Sequence, residues 1–403
     1  MNITIAAPSP IPARRANTIQ TMKMAQAFTT LGHKVWLAVP RFPPAYQILP
    51  PSRRKISQED YDYDWQFLAD HYGIRNLFSI SYFSTITSAH HYDFSLKVLY
   101  WARQYGSDYI YTRLPQIAAI GSTLNTAIIF EVHDMPGGMM GPRLFRRYLK
   151  GRGAARLVII TRALADDLSR EYNLPAYKKL NEQLVIAPDG VDLERYQDIP
   201  EPRAARKLLL ERKLMVHPIP ESRFTAGYTG HLYQGRGVNL ILEMAAQLPD
   251  ITFLIIGGEA EQISQLKNTV ESRVLKNVGV VGFIPNAELP LYQAACEALL
   301  MPYQGHVAAS SGGDISRYLS PMKLFEYMAC GRAILTSDLP VLKEVLNAKN
   351  ALLLPPDDIQ AWVSALKTLQ NEPELREELA SQARKDAKDY SWDRRARRIL
   401  DGL

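Results

Sequence analysis

The chain has 403 residues, 47% of them hydrophobic and 22% charged, with two cysteines and a formal net charge of +6. That length exceeds one ordinary core and suits two domains, while two cysteines exclude a disulfide framework and fit a reducing compartment. No apolar run approaches the roughly 18 residues that span a bilayer, and Met1 to Pro8 lacks the features of a signal peptide, so the chain is expected in the cytoplasm. The positive balance favours anionic partners, and charge alone does not choose among phosphorylated metabolites, lipid surfaces and nucleic acid.

In chain order, Ile3 to Ala7 is a short apolar strand. A Pro-rich loop and a helix from about Asn17 to Leu31 follow, with Ile19, Met22, Ala25 and Phe28 on one face. Gly32 ends the helix and Val35 to Val39 forms the next strand. The pattern continues through strands at Asp108–Thr112, Ala127–Val132, Arg156–Ile160 and Gln183–Ala187. A Pro- and charge-rich stretch reaches about Arg223, and then a second series begins. Its strands are Phe224–Gly230, Ile251–Gly258, Val278–Phe283, Ala298–Met301 and Ala333–Ser337. Buried strands alternating with helices predict an α/β protein of two doubly wound parallel sheets, each covered on both faces. Ligands of such sheets bind at the carboxyl ends of the strands.

Two loops of the second half share an electrostatic peculiarity. In Ser320-Pro321-Met322-Lys323-Leu324-Phe325-Glu326, Ser320 is expected as N-cap and Pro321 as the first helical residue, which puts Lys323 in the first turn. A helix start disfavours a cation unless an anion is near, and its free N–H groups offer that anion a site. An ordinary surface pair between Lys323 and Glu326 is the plain alternative. Gly230-His231-Leu232-Tyr233-Gln234-Gly235-Arg236-Gly237 repeats the arrangement, with Arg236 at the start of the helix that begins near Gly237. A diphosphate held between Arg236 and Lys323 would account for both, and the two cations would replace a metal ion. No metal or other cofactor is expected.

These motifs resemble the retaining family 4 glycosyltransferases of GT-B fold. The resemblance rests on Gly230-His231-Leu232 with Arg236-Gly237, on Ile256-Gly257-Gly258, on Gly282-Phe283-Ile284-Pro285, and on Lys323 to Gly331. It extends to Glu131-Val132-His133-Asp134 and Pro188-Asp189-Gly190-Val191-Asp192, so it covers nearly the whole chain. It implies two Rossmann-like domains facing across a cleft and a nucleoside diphosphate sugar as donor. Arg236 and Lys323 would grip the diphosphate, Glu326 the ribose hydroxyls and the Phe283-Ile284 backbone the base. His133 would lie near the transferred sugar, and Gly230, His231, Gly237, Ser320, Met322 and Leu324 would complete the donor site. The helix at Trp392 resembles the one that returns to the first domain in this fold. We therefore expect domains at 1–205 and 206–384, with 385–403 as the returning helix.

The chain departs from the family pattern at several positions. His231 stands where arginine is frequent, and Arg236 where lysine is usual. Tyr318 occupies the position of a second glutamate, for which Asp314 in the Ser310-Ser311-Gly312-Gly313-Asp314 loop is a candidate substitute. The first-domain loop offers Arg14, Arg15 and Asn17 in place of a glycine pair, with Arg15 and Asn17 as candidate sugar or acceptor contacts. Arg143, Arg146, Arg147, Lys150, Arg152 and Arg156, interrupted by apolar residues, suit either a solvated helix face or an anionic membrane surface. Tyr61, Tyr63, Trp65, Tyr72, Tyr82, Phe83, His90, His91 and Tyr92 suit either an acceptor surface or core packing.

The expected activity is transfer of a sugar, with retention, to a hydroxyl on a glycan or lipid-linked precursor in envelope or extracellular polysaccharide synthesis. Peripheral attachment to the inner face of the cytoplasmic membrane is compatible with this. The rivals are a sugar-nucleotide epimerase or hydrolase of the same fold and a non-catalytic sugar-nucleotide-binding protein. No nucleic-acid-binding module is recognisable, so a nucleic-acid partner is not expected.

Overall fold

The computed structural model describes residues 1–41, 65–177, 182–214, 219–220, 222–308 and 313–403. Tyr61 and Tyr63 of the aromatic group, and Ser310 to Gly312 of the Asp314 loop, lie outside these residues.

Two compact units are present: Met1–Pro188 with Trp392–Leu403, and Asp189–Ser391. The first contains seven strands, β1 (Asn2–Ala6), β2 (Lys34–Arg41), β3 (Ser79–Ser84), β4 (Tyr109–Thr112), β5 (Ile128–Val132), β6 (Ala154–Ile159) and β7 (Leu184–Ile186). They form one parallel sheet in the order β3-β2-β1-β4-β5-β6-β7. The second contains β8 (Thr225–Thr229), β9 (Thr252–Ile256), β10 (Val278–Gly282), β11 (Ala298–Met301), β12 (Ala333–Ser337) and β13 (Leu352–Leu354). Its parallel order, β10-β9-β8-β11-β12-β13, repeats that of the first sheet. Each sheet reverses its winding beside its first strand, between β1 and β4 and between β8 and β11. A doubly wound sheet opens a crevice at that point.

Burial explains the strands. Every residue of β5, β8, β9, β11 and β12 is buried, as expected for strands covered by helices on both faces. In the second unit, Leu299, Met301, Phe325 and Met328 pack on one face of the sheet, and Phe253, Ile255, Leu300 and Trp362 on the other.

The packing divides the chain at Pro188/Asp189 rather than at 205/206. The Pro202–Glu211 helix is held to the second unit by Arg206, which is 1% exposed, donates to the Ala295 carbonyl at 2.9 Å and pairs with Glu297. At the other end, the Trp392–Leu400 helix packs on the Ala16–Thr30 helix of the first unit. Arg156 departs from the basic run in which the sequence placed it. It is buried and donates to the carbonyls of Ile399 at 2.7 Å and Arg398 at 3.3 Å, where a cation suits a helix C-terminus.

Candidate functional site

In the second unit the loops after β8 and β11, and the start of the Met322–Cys330 helix, bring two cations together. The chain leaves β8 through Gly230, whose φ is +133°. A Cβ there would stand 2.7 Å from Lys323 Nζ, so the absence of a side chain makes room for the ammonium. Gly237, at φ +78°, caps the Val238–Gln247 helix, and a Cβ on it would come within 1.8 Å of the Pro302 carbonyl oxygen. The tight turn thereby carries Arg236 towards Tyr303, which follows β11.

Arg236 and Lys323 share the Tyr303 ring, at 5.3 and 5.6 Å from its centroid, and Lys323 Nζ also lies 3.9 Å from the centre of the Tyr228 ring. Arg236 donates to the Tyr303 hydroxyl at 3.3 Å and the Ala308 carbonyl at 3.4 Å. Lys323 Nζ and Arg236 Nε are buried without a hydrogen-bond partner among the described residues. Aromatic faces attract a cation but accept no conventional hydrogen bond from it. Burial, and then the neighbouring Arg236, hold the Lys323 ammonium well below the ordinary lysine range, with Glu326 acting in the opposite direction. Such a site favours an incoming anion, which would accept the unused N–H bonds and relieve the repulsion.

Pro321, not Ser320, is the N-cap, which makes Met322 the first helical residue and Lys323 the second. Ser320 is drawn aside because its Oγ accepts the Asp189 amide at 3.1 Å. Leu324 is buried against the core and its amide donates to the Pro321 carbonyl at 2.9 Å, closing the first turn. Glu326 is buried one turn further on, where its carboxylate accepts from Gln293 Nε2 at 3.4 Å. Gln293 also donates to Thr229 Oγ1 at 3.4 Å and accepts from the Tyr196 hydroxyl at 2.8 Å. His231 stacks on Tyr233 with 4.9 Å between ring centres, and burial followed by Arg236 and Lys323 lowers its pKa to about 4. Phe283 and Ile284 are half-buried immediately after β10. Asp314 spends its carboxylate locally, accepting the amides of Val307 and Ser316, each at 2.9 Å, and pairing with the Ser316 hydroxyl at 3.0 Å.

In the first unit His133 follows β5, and its Nε2 is bonded to Glu131. Glu131 is fully buried and also accepts from Gln20 Nε2 at 2.7 Å, from the Tyr111 hydroxyl, and from Arg395 at 2.9 Å. Burial is the largest influence on both acidities. It lowers His133 to about 4, with Arg113 acting in the same direction, whereas Arg395 and His133 overcome it at Glu131 and hold that carboxyl below the usual range. Asn17 donates from Nδ2 to Ser9 Oγ at 2.8 Å, while its Oδ1 is buried without a partner among the described residues. Arg15 is exposed at the N-cap of the Ala16–Thr30 helix.

Sequence reasoning missed Gln293, Tyr228 and Tyr303 in the second unit, and Gln20, Tyr111 and Arg395 in the first. Glu131 was visible only as part of a motif. Its position as the one acid in the Ile128–Val132 strand was the available signal, since a strand buried on both faces admits a carboxylate only with a partner.

Residues 211–386 match the family described as glycosyl transferases group 1, and residues 18–195 match Glycosyltransferase Family 4. A D-inositol 3-phosphate glycosyltransferase of Salinispora tropica is 24% identical over 262 residues, covering 62% of this chain and 50% of that protein. A phosphatidyl-myo-inositol mannosyltransferase of Mycolicibacterium smegmatis is 24% identical over 241 residues, 58% of this chain and 54% of that protein. The chain thus spans about half the length of the curated relatives it matches. Among solved structures, Anabaena HepE in complex with UDP superposes with a TM-score of 0.68 at 15% identity, covering 100% of this chain and 99% of that one. WaaG, a glycosyltransferase involved in lipopolysaccharide biosynthesis, gives 0.63 at 16% identity, with both chains covered completely. Two Rossmann-like sheets of matching order, and successive matches that take in most of both, make this chain a member of the family 4 glycosyltransferases of GT-B fold.

Proposed function

We propose that the protein transfers a sugar from a nucleoside diphosphate sugar to a hydroxyl acceptor, with retention of anomeric configuration. The observation that carries this reading is the pair of cations at Tyr303, with buried N–H groups that meet no acceptor among the described residues. As the glycosidic bond breaks, charge grows on the departing diphosphate, and fixed donors that match that charge lower the barrier. Arg236 and Lys323 are assigned that task, with the amides at the start of the Met322–Cys330 helix. Glu326 is assigned the ribose hydroxyls, and the backbone at Phe283 and Ile284 the base. His133 is assigned a hydroxyl of the transferred sugar. Because two cations already face the diphosphate, no divalent metal is required to neutralise it.

The acceptor is assigned to the class of glycans or lipid-linked precursors of envelope or extracellular polysaccharide, reached at an anionic membrane surface. Among the described residues no helix is long and apolar enough to cross a membrane. The Gly141–Lys150 helix instead supports surface attachment. It buries Leu144, Phe145, Tyr148 and Leu149 and exposes Arg143, Arg146, Arg147 and Lys150, and Met139 just before it is 80% exposed. Basic residues near such a surface contribute about 1 kcal/mol each.

The test is product analysis with a panel of nucleotide sugars and glycan or lipid-linked acceptors. A glycoside with the donor's anomeric configuration supports the reading. An inverted product removes retention, turnover without acceptor favours an epimerase or hydrolase, and binding without turnover favours a non-catalytic role.

A further inference from the structure

The C-terminal helix contributes a side chain to the surroundings of His133. Arg395 is buried, and its guanidinium is fully engaged. Nε donates to the Pro188 carbonyl at 2.9 Å, one terminal nitrogen reaches the Ala187 carbonyl at 3.1 Å and Glu131 at 2.9 Å, and the other reaches the Tyr111 hydroxyl at 3.2 Å. Glu131 is 0% exposed in its side chain, so an ionised carboxylate there needs a cation of this kind. Its bonds from Gln20, Tyr111 and Arg395 all come from donors, which fixes it as an acceptor.

An ionised carboxylate can meet a neutral imidazole only at the nitrogen that carries hydrogen. Glu131 meets Nε2, so the proton resides there and the Nδ1 lone pair is free to accept. The His133 side chain keeps 18% of its surface exposed, in contrast to Glu131. We propose that Arg395 is a positioning residue for sugar transfer: by holding Glu131 as an anion it fixes the His133 tautomer that presents Nδ1 to a hydroxyl of the transferred sugar. This rests on the glycosyltransferase reading above. It also ties that reading to the docked state of the Trp392–Leu400 helix, because without Arg395 the buried Glu131 would lack its cation.

Among the described residues of the first unit, the charged and titratable groups facing His133 are Glu131 near the end of β5, Arg113 beyond β4 and Arg395 from the C-terminal helix, with Tyr111 beside Glu131. With Glu131 ionised, the ring stays neutral until about pH 4, since burial and Arg113 outweigh the carboxylate. The test uses the full chain labelled with 15N-histidine, and long-range proton–nitrogen correlation spectra to report which ring nitrogen carries hydrogen. The wild type is expected to show His133 protonated at Nε2 alone at neutral pH. Arg395→Met is expected to mix the tautomers and lower kcat about tenfold or more, with the donor KM within about twofold. Glu131→Gln with Arg395→Met removes both buried charges and leaves an amide oxygen for Nε2–H, so it is expected to restore the tautomer and recover much of the lost kcat. A wild-type ring protonated at Nδ1 overturns the proposal even if every variant misfolds. So does an Arg395→Met protein with unchanged tautomer and kcat. If no nucleotide sugar is turned over by the wild type, the transfer reading fails, and the spectra alone still decide whether Arg395 sets the tautomer.

Discussion

Replacing Lys323 by methionine should move stability and ligand affinity in opposite directions. In the unliganded protein, Nζ is buried with no hydrogen-bond acceptor among the described residues, and Arg236 repels it across the shared Tyr303 ring. A buried polar group left unpaired costs about 1–3 kcal/mol, and the contact over Tyr228 returns about 0.5–2 kcal/mol. Methionine keeps most of the volume and the aromatic contact, so Lys323→Met is expected to gain about 1 kcal/mol, a rise of roughly 2–4 °C in Tm for a unit of this size. The wild type's stability should also rise with pH through the window from the lowered lysine value to the ordinary one. In that window the unfolded chain binds a proton that the folded chain does not, and the variant loses this dependence. A nucleoside diphosphate, by contrast, loses a charged hydrogen bond of about 1.5–3 kcal/mol, or roughly 10- to 150-fold in Kd. Thermal unfolding without ligand, and calorimetric titration with whichever of UDP and GDP binds the wild type better, read the two effects. A variant that is less stable than the wild type and binds the nucleotide equally well would refute the reasoning.

Gly230→Ala should weaken nucleotide binding by about tenfold or more, because its Cβ would meet Lys323 Nζ at 2.7 Å and φ of +133° is strained for alanine; titration checks it, and an unchanged Kd counts against Lys323 as a ligand. Chelation with EDTA should leave both nucleotide binding and sugar transfer within about twofold of their starting values, since Arg236 and Lys323 supply the positive charge. His231, lowered to about 4, should titrate at higher pH once a diphosphate is bound, because the anion offsets Arg236 and Lys323. Histidine NMR across pH 3.5–7 with and without nucleotide follows the shift, and an unmoved titration places the anion elsewhere. In the free protein the same histidine, neutral when folded and protonated when unfolded, makes stability rise between about pH 4 and 6.5.

The layout of the fold was largely legible because its signals are local. The run Ile251 to Ile256 lies between turn residues, Pro249-Asp250 before it and Gly257-Gly258 after it, and β9 forms there with every residue buried. The cations at two helix starts were legible for the same reason, as Arg236 and Lys323 each oppose a helix dipole within a few residues of a glycine or proline. What escaped depends on pairing across the chain. Ser320 has the chemistry of an N-cap, yet a distant amide at Asp189 claims its hydroxyl. Arg156 belongs to a basic run in sequence and to a helix C-terminus in space. The counter-ion of Glu131 comes from the last helix, and no spacing or periodicity near either residue announces it. The Pro202–Glu211 helix lies in the Pro- and charge-rich stretch where the domains are expected to divide, but buried Arg206, with Ala205 and Leu209, ties it to the second unit.

The central claim is that Arg236 and Lys323 form a diphosphate cradle, and the most direct measurement compares a nucleoside diphosphate with its monophosphate. Calorimetric titration of the wild type, across the uracil and guanine nucleotides, should show a preference for the diphosphate of about tenfold or more with at least one base. In Arg236→Met that preference should fall to within about twofold, because one charged donor to the second phosphate has gone. Equal affinity for mono- and diphosphate in the wild type, or a preference that survives Arg236→Met, would contradict the assignment.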